Sequence, residues 1–162
     1  MKALIAALAS VPLIATQVES VRAQDDRVDG ADHDQIVEIA RGFGFARPFD
    51  CTNGRCDSAI RTEGNSYFLS VYASNGERCE SGCNLAFNAC NADWKKPSYD
   101  DVMDWNVGRW SVVTHNENDN TCLHLYLLAY TEDFSVGQIE NAFVMWLEEF
   151  QEFRERFSTK KR

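Results

Sequence analysis

Near the end of the chain, Ile139, Phe143, Trp146, Leu147, Phe150, Phe153 and Phe157 recur at spacings of three and four. That spacing gathers large apolar side chains on one side of a single helix. Glu140, Glu148, Glu149 and Glu152 fall largely off the stripe, and Ser135 with Gln138 forms a capping box at its start. A stripe so wide and aromatic needs a broad apolar surface to cover it, and a β-sheet is the surface the remaining sequence can supply.

The strands are legible by period. Tyr67, Leu69, Val71 and Ala73 alternate with Phe68, Ser70 and Tyr72, and Leu85, Phe87 and Ala89 alternate with Ala86, Asn88 and Cys90. A weaker strand pattern covers 57–63. Ser98 and Asp101 cap a short helix that carries Val102, Met103 and Trp105 and stops at Gly108. Residues 111–116 and 122–130 read as a hairpin about a polar turn, with Leu123, Leu125, Leu127 and Ala129 on one face. Upstream, Asp32 and Gln35 mark a helix start, and Ile36, Val37, Ile39 and Ala40 form its apolar face. Gly42 and Gly44 are expected to end that helix as left-handed glycines, with Phe43 and Phe45 tucked under the core. A loop over 46–56 follows, with Pro48, Asn53-Gly54 and two cysteines. The expected order is α-β-β-β-α-β-β-α. It gives an α+β domain over 32–157, one five-stranded antiparallel sheet with three helices packed on it.

The start of the chain bears on compartment. Lys2 precedes an almost wholly apolar run over 3–15, and Val21-Arg22-Ala23 fits a small-x-Ala cleavage site, so 1–23 read as a secretory signal. The run is too short to span a bilayer. Residues 24–31 read as a flexible leader and 158–162 as a basic tail. Cys51, Cys56, Cys79, Cys83, Cys90 and Cys122 all follow the cleavage site, and an even count in an exported chain reads as a disulfide framework. A periplasmic or secreted location is expected. Cys90–Cys122 is one physically favoured pair, at one end of two neighbouring strands, with Cys51–Cys56 and Cys79–Cys83 closing local loops. The net charge of −9 argues against nucleic acid or anionic lipid as a partner.

The order of these elements, with Gly44-Phe45 after the first helix, Cys79 and Cys83 between two strands, Asp104-Trp105-Asn106 with Arg109, and Trp146 in the final helix, resembles the YbjN domain family of bacteria. The resemblance covers about residues 32–157. It implies a fold like that of small secretion chaperones, a sensory-transduction or regulatory role, and no catalytic residues. The signal segment and the six cysteines depart from the cytoplasmic members.

No nucleophile elbow, phosphate loop or histidine-rich metal motif is present, so neither catalytic residues nor a cofactor are expected. A close cysteine pair used for thiol-redox chemistry is the first rival reading. Metal handling is another, since His33, His115 and His124 accompany the thiols and His115 could face His124 across the hairpin. Asp104, Asn106 and Arg109 form a recognition cluster, or Asn106 and Arg109 tie up the end of a short helix whose last carbonyls need partners, and the second is the simpler reading. Trp105 and Trp110 read as packing residues. Phe150, Phe153 and Phe157 extend the stripe towards the charged tail. An apolar patch there would serve a homodimer or a partner protein's helix. The function expected is binding another protein, with an acidic inhibitor of a basic secreted enzyme as the remaining rival.

Overall fold

The computed structural model describes residues 27–75, 79–115, 120–129 and 133–159. The expected signal over 1–23 therefore lies outside the described residues, as do the turn at 116–119 and the last part of the tail, 160–162.

The chain runs β1 (Arg27–Val28), α1 (His33–Arg41), β2 (Phe45–Ala46), β3 (Asp50–Thr52), β4 (Arg55–Thr62), β5 (Asn65–Tyr72), β6 (Asn84–Asn91), α2 (Tyr99–Asn106), β7 (Ser111–His115), β8 (Thr121–Leu127), β9 (Phe134–Ser135) and α3 (Val136–Phe157). The class is α+β with three helices. The main sheet has seven strands, not five, in the order β2-β4-β5-β6-β8-β7 with β3 also on β4, and every pairing is antiparallel. The five long strands are those the alternation marks. The two additions are one edge segment split in the middle. β2 meets Ile60 and Arg61, β3 meets Arg55 to Asp57, and Pro48, which has no N–H to give a ladder, lies between them.

Capping chemistry sets the helix starts. Ser98 and Ser135 each accept from the backbone N–H three residues on, while Asp101 and Gln138 return the bond to the cap residue. Asp32 makes only the first half of that exchange. Gly42 keeps a right-handed helical backbone at φ −62°, so the left-handed stop is not used there. Gly44 is needed for another reason: a Cβ on it would lie 2.4 Å from the Arg61 carbonyl oxygen.

α3 lies across one face of the sheet. Its Phe143, Trp146 and Phe150 meet Tyr67 and Phe87 from β5 and β6, at ring centroid distances of 4.8–5.9 Å. α1 packs beside it through Ile36, Val37 and Ala40, and Trp105 of α2 closes the other side against Phe153 and Phe157. Phe43 stacks on Phe143 at 4.7 Å, whereas Phe45 is 66 % exposed and not under the core.

The leader is not wholly loose. Val28 is fully buried, and β1 pairs with β9 as a second, two-stranded ribbon. The order expected for 32–157 overlooked this ribbon because two-residue strands carry no period. Among the described residues, no helix is long and apolar enough to cross a membrane.

Candidate functional site

Alternation gives every long strand a second face. On it, Ala59, Phe68, Asn88, His124 and Val112 form one row across β4, β5, β6, β8 and β7. Asp57, Ser70, Ala86 and Tyr126 form the next row. Among the described residues no helix packs on this side. Phe68 and Tyr126 are about half exposed, at 52 % and 47 %, and Trp110, just before β7, is 73 % exposed.

The floor of this open face is a continuous polar chain. Asn88 Nδ2 donates to Ser70 Oγ (2.9 Å) and to the Ala86 carbonyl (3.1 Å), and because a carbonyl only accepts, the amide has one orientation. Asn88 Oδ1 therefore accepts from His124 Nδ1 at 2.8 Å. That places the proton of neutral His124 on Nδ1, and Nε2 accepts from the Thr114 hydroxyl at 2.9 Å. At the other end Ser70 donates to Asp57, and Arg55 donates to Asp57 Oδ1 (2.8 Å) and Ser70 Oγ (2.7 Å). Burial, reinforced by the Arg55 charge, holds the His124 pKa below its ordinary 6.5. Burial, with the neighbouring Tyr126, raises that of Tyr72, and Arg55 offsets part of the rise. Tyr72, Tyr126, Arg55 and the Asn53-Gly54 turn surround a shallow concavity of about 360 Å³. Each side chain of this polar chain bonds at least one neighbour, and Tyr72 and Tyr126 give the concavity aromatic walls.

The cysteines pair as Cys51–Cys56, Cys79–Cys83 and Cys90–Cys122, with no free thiol among the described residues. Cys51 faces Cys56 across β3 and β4, and Cys90 faces Cys122 across β6 and β8, with Cα separations of 4.0 and 4.1 Å. The first bridge closes the hairpin whose turn walls the concavity. Imidazoles lie close to two bridges, His33 by Cys51–Cys56 and His124 by Cys90–Cys122, with ligand atoms within 4.8 Å. A metal would need thiolates, and these sulfurs are bonded to each other.

His115 and His124 do not face each other: His115 is opposite Thr121, and His124 is opposite Val112. Asp104, Asn106 and Arg109 are not one cluster either. Asp104 pairs with Arg156 at 2.8 Å, and Arg109 grips Glu152 through both terminal nitrogens while lying 4.1 Å above the Trp105 ring. Asn106 bonds both backbone groups of Val113, accepting from its N–H at 2.8 Å and donating to its C=O at 3.4 Å. Trp105 is a core residue whose indole donates to Ser111, but Trp110 is not.

The suggested contact patch is also corrected. Phe150, Phe153 and Phe157 are at most 2 % exposed, because Trp94 and Trp105 close over them edge-on. The last turn of α3 does not project beyond the domain. The open face was missed in its place, although its signal, the second set of residues in each alternating strand, is present in the sequence. No protein-family model matches the chain, and a search of curated proteins finds no relative.

Proposed function

We propose that the protein is a non-enzymatic, YbjN-like binding module of an exported compartment, and that another protein docks on the open face of its sheet. The observation that carries this reading is a sheet face that no helix covers among the described residues, bearing the half-exposed rings of Phe68 and Tyr126 beside side chains that already bond one another. Exposed aromatic side chains on a rigid support are the usual anchors of protein recognition. The three disulfides fit an oxidising compartment. A chaperone-like or regulatory role in the bacterial envelope follows only from the resemblance to the YbjN domain.

The test is retention of proteins from an envelope extract on the immobilised, oxidised chain, at low and high salt. Docking on the aromatic face predicts retention that survives salt. Retention abolished by salt favours the acidic-inhibitor reading, in which the net charge of −9 holds a basic enzyme.

A further inference from the structure

At the other end of the molecule, the β4–β5 turn, the segment after β6 and the C-terminal end of α3 enclose a concavity of about 300 Å³. Small-molecule sites begin at roughly this size. Its lining includes Asn65, Asn91, Asp93, Trp94, Phe150 and Arg154. The walls are held in place by bonds between distant segments. Lys95 N–H donates to the Phe157 carbonyl at 2.7 Å, Thr159 Oγ1 to the Asp93 carbonyl at 2.7 Å, and Trp94 bridges Ser158. Asn91 Oδ1 accepts from the Asp93 N–H at 2.8 Å, and Arg154 donates to Asn65 Oδ1. Each amide oxygen is thus satisfied by a donor of the chain itself, and neither Nδ2 makes a described hydrogen bond, which leaves both donors for another partner.

The chemistry of the lining is specific. One guanidinium and one carboxylate make the cavity close to neutral, which singles out neither an anion nor a cation. Planar amides, a carboxylate and hydroxyls supply donors and acceptors in neighbouring pairs, and Trp94 adds an aromatic surface. A ring with adjacent hydroxyls and an apolar C–H face matches that combination. We propose that this cavity binds a neutral mono- or disaccharide. The site is separate from the open sheet face, so it stands or falls independently of the protein-docking reading.

The test is titration of the oxidised, exported chain with glucose, maltose, N-acetylglucosamine and its β1,4-linked disaccharide, followed by ¹H–¹⁵N NMR, with sodium sulfate in parallel. At least one sugar is expected to shift the Trp94 indole and the Asn65 and Asn91 side-chain amides saturably, with a Kd of about 1 mM. Asp93→Ala is expected to weaken that binding about tenfold without moving the melting temperature. Asp93 is exposed and its carboxylate supports no described hydrogen bond, so this variant folds. The proposal is overturned if none of the four sugars gives saturable shifts, if sulfate reproduces them, or if Asp93→Ala binds as tightly as the wild type.

Discussion

Asn106 does the work of a neighbouring strand. β7 is the outer strand of the sheet, and the free groups of Val113 would otherwise offer a pairing edge to another chain. Glu149 continues the guard by accepting from the N–H groups of Trp110 and Ser111. Asn106→Ala leaves buried Val113 unpaired, and a loss of about 1–3 kcal/mol is expected in urea unfolding. Asn106→Asp keeps the shorter of the two bonds and is expected to lose less. His124 makes a second residue-scale prediction. Its pKa is depressed in the folded protein, so its contribution is full above the ordinary 6.5 and declines as the pH falls from 6.5 towards the folded pKa. NMR should find it titrating below 6.5, with the neutral ring protonated on Nδ1; an Nε2–H tautomer would refute the hydrogen-bonded chain. Neither residue's role was legible in the sequence, because each depends on a partner in a different element that only the fold brings alongside. The serine caps were legible, since both partners lie three residues apart.

At the scale of elements, period decided what could be read. The five long strands and α3 have enough residues to display two-fold or helical repetition. β1, β2, β3 and β9 have two or three residues each and exist only through their partners. The opposed positions of Cys90 and Cys122 were accessible from alternation once the strands were taken as neighbours. Their bridge spans 32 residues, against 5 for Cys51–Cys56 and 4 for Cys79–Cys83. Chain entropy alone makes the long bridge worth about 3.7 kcal/mol and each short one about 2 kcal/mol. Replacing each pair by alanines should therefore rank Cys90–Cys122 as the costliest loss in denaturant unfolding. Equal costs for all three would contradict the loop-closure account.

For the whole molecule, the decisive property is that, among the described residues, helices cover the sheet on one side only. The aromatic stripe of α3, the clearest signal in the sequence, is consumed entirely in that cover, including Phe150, Phe153 and Phe157. What the stripe could not reveal is which surface stays uncovered, because outward-facing polar and aromatic residues look alike in sequence whether they meet water or a partner. Phe68 and Tyr126 mark that surface, while Val144, 46 % exposed on α3, marks the opposite side. The most direct measurement compares retention of envelope proteins by the wild type, by Phe68→Asp with Tyr126→Asp, and by Val144→Asp, with melting curves for all three. Docking on the open face requires the double variant to lose the retained protein while Val144→Asp keeps it. Retention that survives the double variant, or is lost only with Val144→Asp, would contradict it.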